Sequence, residues 1–416
     1  MRMKKNNRYS LWILLLVLLF YKPAETNIAE YFFNKNFSCS LYPLEKEIMK
    51  HKKERILDVS ALQELSNKIH EHYEKLFKQK MFNGCVLVAI GNKVIYQNAL
   101  GYIDIRQKSC LHIHSLFQLA SVSKIFTATA VLKLYERQQI NLYAPVQKYI
   151  PEFPYADITI HHLLNHTSGL VNYLHVMQDV ERQDTVLSHQ SVLQFLVHKK
   201  PRTEFKAGKR YKYCNTNYAL LACLIEKVSG MSYSEFLKKE IFIPLDMKHT
   251  NTIYYVDIFD ENTTSSHEYK NRSVPFYASD FILGDKSIYS DIQDLFQFSQ
   301  QFLDKKILHD TIMRKMFKGV KTGRHDILYG YGIRIRNYED STKMVVFHNG
   351  WWHGYRTSFQ MRPKDKITVI VLSNHIHKAT YYTNPVFQVI DEVLYKNNIR
   401  GEDSGFQSAY PGADDE

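Results

Sequence analysis

Strand-like runs stand near both ends of this chain, and a long helical pattern fills the space between them. Toward the N-terminal end, CVLVAI (Cys85–Ile90) is followed by Gly91-Asn92 and then KVIYQNALGY. Gly and Asn tolerate the positive φ of a two-residue turn, so this spacing predicts a β-hairpin. Three further strand-like runs come late: Met344–Phe347, Thr357–Met361 and Ile367–Leu372. The middle, roughly 140–310, is mostly helical pattern broken by loops, including Tyr218–Val228 and Ser234–Ile241. An apolar sheet face must be buried against another layer, so this order predicts one sheet built from both ends of the chain, with a helical region inserted. No internal repeat competes with that reading.

Helices flank the strand runs. Leu62, Leu65, Ile69, Tyr73 and Leu76 recur at three- and four-residue spacing and predict a helix over Val59–Lys80. A second helix is expected from about Ser121 to Gln138, and a last one from Pro385 to Tyr395. Residues 59–398 are thus expected to form the folded domain. At the N-terminus, Arg2, Lys4, Lys5 and Arg8 precede the apolar run Leu11–Phe20, the shape of a secretory signal. A spanning helix needs about 20 apolar residues, and Lys22 and Pro23 stop this run early. The small-x-small cleavage pattern is poor, so residues 1–24 are either a signal peptide or an uncleaved membrane anchor. Both place the body of the protein outside the cytoplasm: periplasmic, extracellular or membrane-anchored. Residues 25–58 read as a polar linker, and 399–416, acidic among Gly, Ser and Pro, as a disordered tail.

Composition narrows the function classes. The content is 45% hydrophobic and 13% aromatic, which excludes a disordered or collagen-like chain. A net charge of +12 raises nucleic acid as a partner, but the Lys and Arg residues are dispersed and no nucleic-acid motif accompanies them. Cys39, Cys85, Cys110, Cys214 and Cys223 form neither a metal pattern nor a disulfide framework. Histidines are numerous, yet HExxH is absent, so no metal and no organic cofactor is expected. His161, His162 and His166 read as parts of a structural block.

Three short motifs carry the chemistry. In Ser121-Val122-Ser123-Lys124, a three-residue helical spacing puts Ser121 and Lys124 on one face. A serine hydroxyl is a poor nucleophile until a base takes its proton, and a lysine can be that base when its pKa is lowered. In Tyr213-Cys214-Asn215, the phenol can relay the serine's proton, while Asn215 can hold the lysine and a substrate amide. In His348-Asn349-Gly350, just after the apolar MVVF run, His348 is expected to face substrate and Gly350 to permit close backbone approach to it. The N–H groups of Ser121 and Trp351 are expected to form an oxyanion hole.

These motifs in this order resemble the class C β-lactamase-like serine hydrolase family, which includes D-Ala-D-Ala carboxypeptidases, D-aminopeptidases and esterases. FQLASVSKIFTA, ITIHHLLNHTSGL, YCNTNYALLACLIEKVSGMSYSEFL, IFIPLDMKHT, GDKSIYSDIQDLFQF, YGYGI and VIVLSN are similar to its blocks. The resemblance covers about residues 60–395. It implies an α+β fold in which an antiparallel sheet is flanked by helices, with an inserted helical region and the site between. It also implies Ser121 as the acylated nucleophile, Lys124 as its base partner, Tyr213 as proton relay and Asn215 as a polar positioning residue, with His348 and Gly350 as the third motif.

Two departures bear on the substrate. His-Asn-Gly replaces the Lys-Thr-Gly usual in true class C β-lactamases, which turns the expectation toward the esterase and peptidase branches; the literal Lys321-Thr322-Gly323 reads as a surface-loop coincidence. Trp351-Trp352-His353 puts bulk where the family often has small residues, narrowing or reshaping the acyl pocket. The partner expected is a small-molecule or peptide substrate with a scissile carbonyl. Two alternatives stay open: a β-lactamase or penicillin-binding carboxypeptidase, and a non-catalytic sensor or binding protein on the same fold.

Overall fold

The computed structural model describes residues 59–177 and 186–396, so the N-terminal segment, the linker and the acidic tail lie outside the described residues. Among the described residues no helix is long and apolar enough to cross a membrane. Ten α-helices are used below: α1 Val59–Lys78, α2 Ser123–Glu136, α3 Ile160–Leu164, α4 Tyr173–Val176, α5 His189–Lys199, α6 Asn215–Ser229, α7 Tyr233–Leu237, α8 Ile292–Leu303, α9 Asp310–Phe317 and α10 Asn384–Lys396.

The two ends of the chain do share one sheet. Strands β1 (Gly84–Ile90) and β2 (Lys93–Leu100) form the hairpin, with Gly91 at φ +58° in its turn. Strand β3 (Tyr102–Asp104) pairs separately with β4 (Ser109–Cys110). A small three-stranded sheet joins β5 (Phe117–Gln118), β6 (Asn251–Thr252) and β7 (Ile288–Ser290), with β7 in the centre. The remaining strands are β8 (Val320–Lys321), β9 (Ile327–Tyr329), β10 (Arg334–Arg336), β11 (Val345–Trp352), β12 (Tyr355–Arg362) and β13 (Ile367–Ser373). They complete an eight-stranded antiparallel sheet in the order β2-β1-β13-β12-β11-β10-β9-β8.

Strand side chains alternate between faces with period two, and here the alternation sorts the core. Val86, Val88, Val345, Phe347, Val369 and Val371 pack with Leu65, Ile69 and Tyr73 of α1 and with Ile390 and Val393 of α10. The intervening residues Leu87, Val346, Met361, Ile370 and Leu372 join a second core containing α2, α6 and α8. A one-residue slip of any central strand would exchange these sets, so burial on both faces pins the register. Helix α2 is apolar nearly all round, and Ser123–Leu132 are buried without interruption. A helix of that kind belongs inside a protein.

Several expected boundaries move. The chain enters α2 through a 3-10 turn, Ala120–Val122, so Ser121 precedes the α-helix proper, which ends at Glu136. Strand β11 does not stop at Phe347. Its ladder with β12 continues from His348↔Phe359 to Trp352↔Tyr355, because cross-strand pairing outweighs the weak strand preference of Asn and Gly. Strands β8 to β10 are two or three residues long and left no periodic signal. Lys321 closes β8, so the Lys-Thr-Gly tripeptide begins at a strand end and not in a loop as expected. It lies on the outer edge of the sheet, with β9 and β10 between it and β11.

Candidate active site

The site begins where β5 hands the chain to the 3-10 turn. Ala120 there is buried in the left-handed region at φ +49°. That conformation costs a residue with a Cβ about 1–3 kcal/mol, which the surrounding packing must offset. Ser121 follows, half-buried, one helical turn from Lys124.

Ser121 Oγ has two partners. Lys124 Nζ lies 3.0 Å away and Tyr213 Oη, from the loop before α6, also 3.0 Å. The same Lys124 Nζ donates to the carbonyl oxygen of Asp285 at 2.7 Å. The lysine side chain is fully buried, and burial pushes its pKa down to about 8; Asp285 opposes the shift and the Arg334 guanidinium adds to it. Burial moves the Tyr213 phenol the other way, above its ordinary range, so it stays protonated near neutrality.

Behind Tyr213 lies a hydrogen-bond chain with a determined direction. His166 Nδ1 accepts the backbone N–H of Cys214 at 3.2 Å and the side-chain amide of Asn217 at 3.1 Å. Its proton therefore resides on Nε2, which donates to Tyr329 Oη at 3.1 Å. Tyr329 then donates to His348 Nε2 at 3.1 Å, and His348 Nδ1–H donates to its neighbour's carbonyl, Asn349 O, at 2.8 Å. Burial holds both imidazoles well below their usual pKa, with the Lys124 and Arg334 charges adding to the effect. The His166 ring also packs on Tyr213, centroids 4.3 Å apart. The sequence reading placed His166 in a structural block; the structure makes it the residue that seats the Tyr213 loop.

The other expected site residues divide. Asn215 opens α6 but does not hold the lysine, a role taken by the Asp285 carbonyl; its own Oδ1 is buried with no hydrogen-bond partner among the described residues. His348 is fully buried against Tyr329 and so lies beneath the site, not facing substrate. Gly350 does serve close approach, but to the serine turn: a Cβ there would lie 2.3 Å from Leu119 O and 2.1 Å from Thr357 Oγ1. Trp351 has the opposite parity on β11 from His348 and Gly350, so its indole points to the other face of the sheet. There it lies over the Arg356 guanidinium, 4.8 Å away, and is 68% exposed. Trp352 and His353 are both held by the Asp280 carboxylate, the imidazole at 2.9 Å.

Two groups near the serine escaped the sequence reading. Lys286 is buried between the Asp285 carboxylate at 3.3 Å, the Tyr173 hydroxyl and the Trp352 ring at 4.7 Å, bracing the segment whose carbonyl holds Lys124. Arg334, on β10, carries its guanidinium 5.6 Å from the centre of the Tyr213 ring, and its buried Nε has no hydrogen-bond partner among the described residues. A single Lys in a bend or Arg in a three-residue strand has no local signature, so neither was findable before the tertiary contacts were known.

Comparison with known proteins places this geometry. The Beta-lactamase family model matches residues 65–385. The chain belongs to the beta-lactamase family. By that membership it is a serine hydrolase. It is similar to penicillin-binding protein 4* of Bacillus subtilis, 31% identical over 339 residues, covering 78% of this chain and 74% of that protein. It is also similar to a D-aminopeptidase of Brucella anthropi, 26% identical over 319 residues; the match covers 76% of this chain and 59% of that longer protein. Among solved structures, the octameric penicillin-binding protein homologue of Pyrococcus abyssi superimposes with a TM-score of 0.69 at 26% identity, covering 82% of this chain and 78% of that one. A penicillin-binding protein from Bacillus halodurans does so at 0.67 with 21% identity, covering 77% and 99%, a likeness of fold alone. The beta-lactamase fold and the mixed architecture expected from the strand order are therefore the same.

Proposed function

We propose that this is an exported serine hydrolase that acts through a Ser121 acyl-enzyme on an amide, ester or peptide carbonyl. The observation that carries the reading is the convergence of Lys124 Nζ and Tyr213 Oη on Ser121 Oγ, each at 3.0 Å. In the neutral state favoured by burial, Lys124 accepts the serine proton as Oγ bonds to the substrate carbonyl carbon. The backbone N–H groups of Ser121 and Trp351 receive the oxyanion. Tyr213, kept protonated, passes its proton to the leaving group and is reprotonated from Lys124. Water then attacks the ester, with the same pair returning the proton to Ser121.

One feature speaks for a substrate with an anionic group: the Arg334 guanidinium stands 5.6 Å from the centre of the Tyr213 ring, a positive charge suited to a carboxylate. Export rests on the basic and apolar N-terminal segment. The names of the relatives, a penicillin-binding protein and a D-aminopeptidase, keep a cell-wall peptide or β-lactam substrate as the second reading.

The test is labelling by a fluorophosphonate or fluorescent penicillin, with peptide mapping. Ser121→Ala should abolish it, and undiminished labelling of that variant overturns the assignment. A panel of D-amino-acid amides, esters and nitrocefin then separates the readings. Rapid nitrocefin turnover favours a β-lactamase, and acylation without turnover a penicillin-binding role.

A further inference from the structure

We propose that His114, His249 and Asp291 form a binding site for one divalent transition-metal ion of the zinc type, which clips together one end of the small sheet that leads into the serine turn. His114 Nδ1 lies 3.0 Å from Asp291 Oδ2 and His249 Nδ1 lies 2.9 Å from the same oxygen. All three ligand atoms fall within 4.8 Å of one another.

The fold explains why they meet. His114 stands just before β5, His249 just before β6 and Asp291 directly after β7. Both outer strands run antiparallel to β7, with Phe117↔Ser290 and Asn251↔Tyr289. The beginnings of β5 and β6 therefore lie beside the end of β7, and each of the three strands contributes one ligand at that end.

Charge and donor type point to a metal. Asp291 is fully buried while the two histidines are 48% and 47% exposed, an anchored carboxylate with an open outer position for water. Among the described residues neither Asp291 nor the buried Asp294 beside it has a Lys or Arg ion-pair partner, so two carboxyl groups sit together without a permanent cation. Asp291 Oδ1 accepts the Asp294 N–H at 2.8 Å, and the His249 backbone N–H donates to Asp294 Oδ2 at 2.7 Å. These contacts hold two of the ligands in place from the outer shell. Two imidazoles and one carboxylate suit zinc, cobalt or nickel, whereas calcium and magnesium take oxygen ligands. On binding, each imidazole presents its Nδ1 lone pair and keeps its proton on Nε2. Contacts of this length open slightly to accommodate bonds of about 2.0–2.2 Å. Sequence spacing could not show the site, because the ligands come from distant stretches.

The full chain, stripped with a chelator, should be titrated with Co2+ and followed by its visible absorption, then back-titrated with Zn2+. The expected result is one Co2+ per chain, displaced by Zn2+, with a Zn2+-dependent rise in Tm of several degrees. His114→Ala and His249→Ala should each lose the absorption and the Tm response while Ser121 still labels with fluorophosphonate, which shows that both variants fold. Absence of a Co2+ signal in the unmodified protein, or unchanged affinity in both variants, overturns the proposal. Because labelling is read separately, failure of the metal site leaves the hydrolase reading intact.

Discussion

Lys124 Nζ lies 3.0 Å from Ser121 Oγ and 2.7 Å from the carbonyl of Asp285, so the amine is aimed at the hydroxyl by a backbone group 161 residues further along the chain. A carbonyl is a neutral acceptor. It fixes the position of the amine without itself carrying the charge that would hold it protonated, and the Asp285 carboxylate only partly opposes the effect of burial.

The pH profile follows from that environment. Burial has brought Lys124 down to about 8. Below that pH the amine is an ammonium and cannot take the serine proton; above it the free base dominates. The second-order rate of acylation should therefore rise with pH through about 8 and fall about tenfold per pH unit well below it. A rate that is flat between pH 6 and 9 would remove Lys124 as the base. Lys124→Arg should be inactive throughout, since a guanidinium stays protonated.

Tyr213 is expected to matter for chemistry and little for folding. Tyr213→Phe keeps the ring that packs on His166 and removes only the hydroxyl 3.0 Å from Ser121 Oγ. Acylation should slow by about 10²–10⁴-fold, the usual worth of a positioned proton donor, with Tm nearly unchanged. Full activity in this variant would exclude the relay.

Gly350 can be tested against its neighbour. Gly350→Ala places a methyl group 2.3 Å from the Leu119 carbonyl, forcing β11 and the serine turn apart. Denaturant melts should show a loss of about 1–3 kcal/mol, and kcat/KM should fall by about tenfold or more as Ser121 is displaced. Trp351→Ala, on the opposite face and largely exposed, loses the contact with the Arg356 guanidinium, should cost no more than about 1 kcal/mol and leaves its backbone N–H in place.

Tyr329→Phe breaks the chain behind the site. It leaves His166 Nε2–H and His348 Nε2 buried without their shared partner, at a cost of about 1–3 kcal/mol. Looser seating of the Tyr213 loop should lower kcat more than it raises KM, a split that stopped-flow acylation resolves. Unchanged stability and rates would mean that water replaces the hydroxyl.

Much of this molecule was legible before its fold was known, and for a physical reason. Ser121 and Lys124 are three residues apart, so a single helical turn brings them together whatever the rest of the chain does. The Gly91-Asn92 hairpin and the apolar, β-branched run of β13 are equally local. Tyr213 came from resemblance in the order of motifs, since nothing in a bare Tyr-x-Asn distinguishes it from a core residue.

What the amino-acid order alone determined was residue chemistry and short-range periodicity: a candidate nucleophile with its base, strand runs at both ends, and a helix opening near Ser121. Tertiary structure decided which partner each group meets. It chose the Asp285 carbonyl over Asn215 for Lys124, strung His166, Tyr329 and His348 into one chain, and turned Trp351 to the far face by strand parity. It also gathered His114, His249 and Asp291 at one sheet end. Each of these depends on register and on closure of long loops, and a contact between distant residues leaves no periodic mark in the stretches that supply it.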